Sequence, residues 1–321
     1  VKTMENSLAS SLCRLMDCYL NAYKENEYKK VPMDELEYLD AIIESIFVFS
    51  FIWSVGCTVD LDGRRKFSSW LRERIKSHNI AVEIPEEGVV YDYSFDLNEN
   101  KFALWIERTK NFQVNPNLNF ASQFSEIVVP TNNYTRMLYL LETLIKNNVH
   151  VLCPGPTGTG KSLYSETLLT STLKPEEFQY ISMTFSAQTT ANQTQDTIDS
   201  KMEKRRKGIY GPPTGKRCVI FVDDLNMPKK ETYGAQPPIE ILRQHMDHKG
   251  WYERKTIQFM KLEDIIFLSA MGPPGGGRSF ISNRMTRHFN MITYTDIDEE
   301  TVSYIFSMIL DSFLSKFLEP I

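Results

Sequence analysis

Apolar residues recur at helical spacing along the first part of the chain. The spacing runs through Leu8–Leu20 and again through Leu36–Phe47, which predicts two amphipathic helices, and a third is predicted around Phe67–Ile75. Between residues 81 and 106 the pattern changes, because Val, Tyr and Phe alternate with polar residues on both sides of a polar turn near Asn98. This alternation predicts a β-hairpin.

The second part of the chain alternates between short apolar runs rich in β-branched residues and helical stretches. Such alternation is typical of a parallel sheet covered by helices, so the predicted fold class is α/β. The predicted strands lie near residues 149–153, 178–183, 218–223, 265–270 and 290–294.

An irregular, Asn-rich stretch separates the two patterns. A chain of 321 residues is long enough for about two domains. We therefore predict a mainly helical domain with a hairpin insert over residues 1–110, a linker over 111–124 and an α/β domain over 125–321. The chain begins at Val1 without an initiator Met and ends just after an apolar helical pattern, so we expect it to be part of a longer polypeptide.

Composition and charge exclude several function classes. The net charge is −5, and the basic run Lys201–Gly208 lacks interleaved aromatic residues, which indicates a solvated insertion and argues against nucleic acid as a partner. The apolar run Ile46–Val55 is about half as long as a membrane span, so we interpret it as a buried helix and expect no membrane association.

The metal-binding and redox residue types form no recognisable motif. The five cysteines include no C-x-x-C pair, which indicates reduced thiols used for packing. The five histidines show no H-E-x-x-H spacing, and we expect no metal site beyond Mg²⁺ held by a nucleotide.

The most informative motif connects the first predicted strand of the α/β domain to the following helix. It fits the phosphate-binding pattern G-x-x-x-x-G-K-[ST] at every fixed position. Because this pattern arises by chance in roughly 1% of chains of this length, a simple Gly-rich turn is the weaker interpretation. Backbone N–H groups of such a loop point at phosphate oxygens, the lysine reaches the β- and γ-phosphates, and the serine helps to hold Mg²⁺. The predicted nucleotide-binding residues are Gly155, Pro156, Thr157, Gly158, Thr159, Gly160, Lys161 and Ser162.

Two acidic residues, Asp223 and Asp224, end the strand near 218–223. The first acid after such a strand orients Mg²⁺ together with the motif's Ser162, and the second occupies the place of a general base that polarises the attacking water. By itself, an acid after a buried strand is equally well a turn or a helix cap. The phosphate-binding motif upstream favours the catalytic interpretation.

Two more positions are candidates for contact with the terminal phosphate. In oligomeric P-loop ATPases a polar sensor residue follows a strand such as 265–270, but Gly272 stands here without a side chain, so a plain turn is an equally good interpretation. Arg284 and Arg287 precede the last strand, where an arginine can project from a subunit edge and fork onto phosphate oxygens in a neighbour's site. A solvated surface role is the alternative for either arginine.

The segment before the first helix of the α/β domain is placed where adenine would be held. Apolar side chains and backbone amides suffice for that contact, and a simple domain-entry segment is the alternative. The residues concerned are Val128, Val129, Pro130 and Thr131.

The order of these signals resembles the AAA+ ATPases, in which the sensor strand lies between the P-loop strand and the acidic strand. The GTPase motif N-K-x-D is absent, and a small-molecule kinase would be shorter with an arginine-rich lid. The resemblance implies ATP or ADP with Mg²⁺ as ligands. An AAA+ chaperone would need a pore-loop aromatic residue, for which the sequence offers no clear candidate.

Longer segments resemble the motor region of axonemal dynein heavy chains, and the resemblance covers essentially the whole chain. Residues 1–110, with Val59–Trp70, are similar to the small subdomain that ends the second AAA+ module. The remainder is similar to the large subdomain of the third module. The segments that carry this second similarity are Pro154–Lys161, Phe185–Thr190, Phe221–Pro228, Tyr233–Pro238 and Leu242–Gln244.

The resemblance implies a part of a ring of AAA+ modules that walks on microtubules in the axoneme of cilia and flagella. Neighbouring modules of the same heavy chain and the dynein intermediate and light chains are then the expected partners, in the cytoplasm and cytoskeleton. In this family the first module is the main ATPase and the third gates the response of the ring. Arg284 or Arg287 would act on nucleotide held by the second module, while groups beyond Ile321 would complete the site of this P-loop.

The chain departs from an active ATPase at two positions, where Asp224 replaces the usual glutamate and Gly272 replaces the sensor asparagine. Aspartate is one methylene shorter, which sets its carboxylate back by roughly 1.5 Å, and a misplacement of about 1 Å can cost on the order of 100-fold in rate. Two hypotheses follow: a regulatory switch that hydrolyses ATP slowly, or a nucleotide-binding structural module with little turnover.

Overall fold

The computed structural model describes residues 3–24, 36–97, 99, 101–109 and 127–314. The predicted linker 111–124 and the predicted turn at Asn98 lie outside the described residues.

The first part of the chain is a helical unit with a β-hairpin, as the hydrophobic pattern predicts. Asp60 caps the third helix by accepting a hydrogen bond from the Gly63 amide at 2.8 Å. The hairpin pairs Tyr93 with Leu104 in antiparallel register. The elements are α1 Glu5–Lys24, α2 Leu36–Ser54, α3 Leu61–Ser77, β1 Tyr93–Asp96 and β2 Lys101–Leu104, with short 3₁₀ helices at Gly56–Thr58, Val90–Asp92 and Trp105–Thr109.

Helix α2 forms the core of this unit. In the described part of the chain, residues 39–58 are the one stretch long and apolar enough by composition to cross a membrane, and 67% of its most apolar window is buried inside the protein. Ile46, Ile52 and Trp53 are fully buried. The stretch therefore packs as a core helix, which agrees with the prediction made for Ile46–Val55.

The second part contains the predicted five-stranded parallel sheet. Its strands are β3 Val151–Pro154, β4 Phe178–Thr184, β7 Arg217–Asp223, β10 Ile265–Met271 and β11 Asn290–Met291. They follow the spatial order β11–β3–β10–β7–β4, so β10 lies between β3 and β7. This is the order that the AAA+ resemblance implies.

Helices cover both faces of this sheet. The helices are α4 Asn132–Lys146, α5 Lys161–Thr167, α6 Ala191–Asp199, α7 Pro237–His248, α8 Asn283–Thr286 and α9 Glu299–Leu314. Helix α5 continues into a short π-helical turn, Leu168–Thr172.

A second, four-stranded sheet lies outside the predicted elements. The basic run Lys201–Gly208 contributes its first strand, and most of its side chains are exposed, so the segment is solvated but not irregular. The strands follow the order β5–β6–β9–β8, with a parallel pair in the middle. They are β5 Glu203–Arg206, β6 Ile209–Gly211, β8 Gly250–Tyr252 and β9 Phe259–Leu262.

The helical unit and the parallel sheet share one hydrophobic core. Trp105 is fully buried, and its ring centre lies 5.4 Å from that of Tyr139 on α4. The Cys57 thiol lies 3.0 Å from the Trp53 carbonyl of α2 and 3.2 Å from the Met291 carbonyl of β11, and it donates its single proton to one of the two. Burial raises the pKa of this thiol to about 11, so it stays a neutral donor. The sheet edge at β11 is therefore in contact with the helical unit.

Candidate functional site

The phosphate-binding motif forms a tight loop between β3 and α5. Gly158 and Gly160 have φ of +84° and +83°, a left-handed conformation that other residues adopt only with strain. A Cβ on Gly160 would also lie 2.6 Å from the ring of Tyr164. The two glycines at these positions thus let the loop curl into the helix, so that the first amides of α5 have no helical acceptor.

The base of the loop is fastened between two strands. The Gly155 amide donates to the Met271 carbonyl at the end of β10, at 3.1 Å. A Cβ on Gly155 would lie 2.7 Å from the carbonyl oxygen of Tyr294, just after β11. This glycine is therefore required for a close backbone approach, which positions the loop at the carboxyl edge of the sheet.

Lys161 folds back into the loop. Its ammonium donates to the Pro156 carbonyl and lies 3.4 Å from the Thr159 hydroxyl. Burial lowers the pKa of Lys161, while the carboxylate of Asp223 acts in the opposite direction. The burial cost of the ammonium falls when an anion approaches, so a phosphate group is a fitting ligand for this loop.

Ser162 and Asp223 meet at the mouth of the loop. The Ser162 hydroxyl donates to one carboxylate oxygen of Asp223 at 2.6 Å, and the other oxygen accepts the Asp224 amide at 2.9 Å. A hydroxyl and a carboxylate are the hard oxygen ligands that Mg²⁺ prefers. These two residues therefore fit a magnesium ion shared with phosphate oxygens. Elsewhere in the described residues, no three His, Cys, Asp or Glu side chains form a group that could hold a metal ion.

Asp224 adopts a left-handed backbone conformation, with φ of +51°. Asp tolerates this region better than most residues, and the conformation turns the chain sharply after β7. The carboxylate is paired with Arg278, whose Nη2 lies 3.2 Å from Oδ1. The carboxylate predicted as general base is therefore held by a guanidinium of the same chain.

Gly272 lies beside this pair rather than at an open position. Its carbonyl accepts a hydrogen bond from the buried Asn226 side chain at 2.9 Å. A Cβ at position 272 would collide with the side chain of Arg278, at 2.7 Å from Nε. The turn thus has a packing reason for glycine, and a charged side chain occupies the adjacent space.

The predicted adenine-contacting segment approaches the P-loop helix through tyrosines. Val129 and Thr131 are buried, and Thr131 caps α4 by accepting from the Tyr134 amide at 3.1 Å. The Tyr134 ring packs edge-on against Tyr164 of α5, with ring centres 5.4 Å apart. Val128 is partly exposed, and Pro130 is buried with its neighbours.

The two edge arginines differ in their surroundings. Arg287 donates to Asp247 at 2.6 Å, and its side chain is 58% exposed. Arg284 is exposed on α8 and has no hydrogen-bond or ion-pair partner among the residues that the structure describes. Neither side chain forms a hydrogen bond or ion pair with residues 155–162 within the described part of the chain, and Arg284 is the freer of the two to meet another module.

The structure thus brings together Lys161, Ser162, Asp223 and Asp224, and it adds residues that sequence reasoning missed. Arg278 and Asn226 are the main additions, and Tyr164 is a third. The glycine run 275–277 predicts a tight turn next to Arg278, but it does not indicate which group the arginine side chain contacts.

Two family models match this chain. The model described as the P-loop containing dynein motor region matches residues 116–297, and the model described as the dynein heavy chain AAA lid domain matches residues 1–107.

Curated relatives agree with these matches. The chain is 45% identical over 338 residues to dynein axonemal heavy chain 1 of Mus musculus, an alignment that covers 99% of this chain and 8% of that protein. It is 45% identical over 332 residues to dynein axonemal heavy chain 1 of Homo sapiens, covering 97% of this chain and 8% of that protein. It is 41% identical over 283 residues to dynein axonemal heavy chain 12 of Mus musculus, covering 84% of this chain and 9% of that protein. The chain therefore spans less than a tenth of the length of these relatives.

Proposed function

The chain belongs to the dynein heavy chain family, as part of its AAA+ motor region, and from this premise we propose that it binds Mg-ATP and Mg-ADP as a regulatory module of a microtubule motor. The observation that carries the proposal is the meeting of Ser162, Asp223 and Lys161 at one loop, which joins a magnesium-type oxygen pair to a phosphate-binding ammonium.

Within the motor we assign residues 125–321 to the large subdomain of the third AAA+ module. Residues 1–110 are then the small subdomain that ends the second module, with 111–124 as the linker between them. The sheet order supports the large-subdomain assignment, and the lid match over 1–107 supports the other. Arg284, exposed and without a partner in the described structure, is then the better candidate than Arg287 to act on nucleotide held by the preceding module.

Each group of the loop has a defined task in binding. The backbone amides between Thr157 and Ser162 and the Lys161 ammonium hold phosphate oxygens. Ser162 and Asp223 would hold Mg²⁺, which would supply positive charge to offset that of the phosphates. The segment Val128–Thr131 contacts the adenine through apolar and backbone groups.

Hydrolysis is proposed to be slow. The Asp224 carboxylate is shorter than glutamate and is paired with Arg278, and position 272 offers no side chain to orient water. The ion pair is also the observation that favours the second candidate function, a nucleotide-binding structural module with little turnover.

The names of the relatives support a place in the axoneme of a cilium or flagellum. We accordingly propose that neighbouring AAA+ modules of the same heavy chain are direct partners. Microtubules would be contacted through distant parts of the heavy chain, and the intermediate and light chains would join the assembled motor.

Nucleotide binding is tested by titrating this chain with fluorescent ATP and ADP analogues in the presence of Mg²⁺. Lys161→Ala is expected to weaken both affinities by at least about tenfold, because a charge-assisted contact to phosphate is lost. Lys174→Ala is the matched control, since that lysine side chain is 72% exposed beyond α5. Equal affinities of wild type and Lys161→Ala would contradict the proposal.

Slow hydrolysis is tested by single-site turnover in the assembled motor with the other P-loops disabled. If Asp224→Asn abolishes this turnover, the hypothesis of a structural module with little turnover is excluded. The chain by itself is expected to show no substantial ATPase activity, because the groups that complete the site are supplied from outside it. An ATP hydrolysis rate of about one per second from this chain would show that expectation to be wrong.

A further inference from the structure

Position 272 and Arg278 share one volume at the end of β10. A Cβ built on Gly272 would lie 2.7 Å from Nε, 2.8 Å from Cδ and 3.0 Å from Cζ of Arg278. The guanidinium and its stem therefore fill the place of the side chain that position 272 lacks. A polar group is present at the sensor position, but it comes from a residue further along the chain.

A small turn fixes Arg278 in this place. The amide and carbonyl of Gly275 exchange hydrogen bonds with those of Arg278, both at 3.0 Å. Gly276 and Gly277 between them have φ of +56° and +90°, as the mirror-image tight turn requires. The Ser279 amide then donates to the Asn226 carbonyl at 2.9 Å. These hydrogen bonds thus hold the backbone on both sides of Arg278.

The guanidinium is only partly satisfied. Nη2 donates to Asp224, whereas the buried Nε has no acceptor within the described part of the chain. The partner of Arg278 is joined directly to the P-loop, because Asp224 follows Asp223 and Asp223 accepts the Ser162 hydroxyl at 2.6 Å. A group with several oxygens and negative charge bound at the P-loop would therefore offer the guanidinium an alternative acceptor.

We propose that Arg278 is the γ-phosphate-sensing residue of this site. In the absence of a terminal phosphate, Arg278 pairs with Asp224. When a nucleoside triphosphate is bound, Arg278 breaks this ion pair and donates to the γ-phosphate instead. The proposal rests on the proposed nucleotide binding. A planar guanidinium suits both partners, because its N–H groups fork onto either a carboxylate or a phosphate. Asp224 is freed only when a triphosphate is present, and a diphosphate leaves the ion pair intact.

The first experiment compares the affinities of the chain for Mg-ATPγS and Mg-ADP. Arg278→Gln is expected to weaken ATPγS binding by about tenfold and to leave ADP binding within about twofold of wild type. Arg278→Lys keeps the charge but not the forked geometry, so its affinity for ATPγS is expected to lie between those of wild type and Arg278→Gln. This variant also covers the case in which the glutamine variant folds poorly. Equal losses for the two nucleotides, or no loss for either, would overturn the proposal.

Arg205→Gln is the matched control. Arg205 also packs against a glycine, since a Cβ on Gly211 would lie 2.9 Å from its Nε, and it pairs with Asp264 in the small sheet. The control therefore removes a similar Gly–Arg–Asp arrangement that does not belong to the P-loop. It is expected to leave the ratio of the two affinities unchanged, and a change as large as that of Arg278→Gln would overturn the assignment.

A second experiment distinguishes a sensor from a purely structural ion pair. Thermal unfolding of wild type, Asp224→Asn, Arg278→Gln and the double variant gives the coupling between the two side chains. Coupling is expected without nucleotide and with Mg-ADP, and is expected to vanish with saturating Mg-ATPγS. Unchanged coupling in all three conditions would overturn the proposal and leave nucleotide binding standing. Failure of wild type to bind either nucleotide would instead refute the proposed function, and this inference with it.

Discussion

At the scale of single residues, two histidines make the free energy of unfolding depend on pH. His245 is 1% exposed and packs against Trp251 and Phe267, with ring centres 5.9 and 5.5 Å away. Nδ1 of His150 accepts the Phe267 amide at 3.0 Å, which requires that nitrogen to be unprotonated. Burial lowers the pKa of His245 to about 4 and that of His150 to about 3. Both rings are therefore neutral in the folded protein near pH 7.

We predict that acidification lowers the free energy of unfolding. The unfolded histidines bind protons near pH 6.5, well above the pH at which the folded ones do, so stability is complete above pH 6.5 and is lost as the pH falls toward 4. The loss for each buried histidine between pH 7 and 5 is about 2 kcal/mol. Denaturant unfolding at a series of pH values measures it.

Two glutamine variants test this origin of the pH dependence. His245→Gln should flatten the slope between pH 7 and 5, because a non-titrating group replaces the buried ring. His78→Gln, at an exposed position after α3, should leave the slope unchanged. Identical slopes for His245→Gln and wild type would contradict the prediction.

At the same scale, the sequence predicts some site residues well and others poorly. Lys161, Ser162 and the loop glycines could be predicted because their geometry depends on a short contiguous segment. Arg278 could not, since its role depends on a side chain that folds back onto Gly272 and reaches Asp224 across two separate turns. Gly272, for which the sequence leaves open a missing sensor group or a plain turn, packs directly against the side chain of Arg278.

At the scale of elements, one hydroxyl caps the first turn of α4, the helix that follows the proposed adenine-contacting segment. Thr131 accepts the Tyr134 amide at 3.1 Å and thereby satisfies one of the free donors of the first turn. The same segment lies against Tyr164 of α5 through Tyr134. The start of α4 thus positions the proposed adenine contacts relative to the P-loop.

We predict that Thr131→Ala lowers the free energy of unfolding by about 1 kcal/mol and also weakens ATP binding. Thr190→Ala is the control, because Thr190 caps α6 in the same way, accepting from the Gln193 amide at 3.2 Å. It should cost similar stability without a change in ATP affinity. Chemical denaturation and nucleotide titration of both variants provide the comparison. Equal effects of the two variants on ATP affinity would show that the start of α4 does not contribute to the proposed site.

The three inner strands of the parallel sheet, β3, β10 and β7, could be predicted because each is a nearly continuous apolar run buried on both faces. Strand β7, for instance, is buried from Cys218 to Val222. The small sheet could not be predicted, since its strands are short and mostly exposed on one face. Strand β5, Glu203–Arg206, consists only of charged residues, and its pairing with β6 and onward to β9 depends on contacts distant in sequence.

At the scale of the whole molecule, the helical unit and the sheet are joined by polar as well as apolar contacts. Arg64 of α3 donates to the Thr293 carbonyl at 2.7 Å, just beyond β11. Its guanidinium lies 6.0 Å from the ring centre of Trp53, and that of Arg136 on α4 lies 5.7 Å from the same ring. The two parts that separate family models match are therefore in direct polar and cation–π contact.

We predict a single cooperative unfolding transition for both parts. Trp105→Ala should lower stability by about 3–5 kcal/mol and shift the transition as a whole, because this ring packs on Tyr139 across the junction. Trp70→Ala, a residue 43% exposed on α3, should cost far less. Calorimetry checks this through agreement of the calorimetric and van't Hoff enthalpies, and two separable transitions in wild type would contradict it.

The contact of Cys57 and Arg64 with the backbone around β11 has a mechanical consequence for the motor. If residues 1–110 end one module and residues 125–321 begin the next, the stiff block of the ring straddles the boundary between modules. The proposed nucleotide site of this chain would then belong to a block built from parts of two modules. Spin labels on α3 and α4 should keep one separation in every nucleotide state, and a separation that changes with nucleotide would disprove the stiff link.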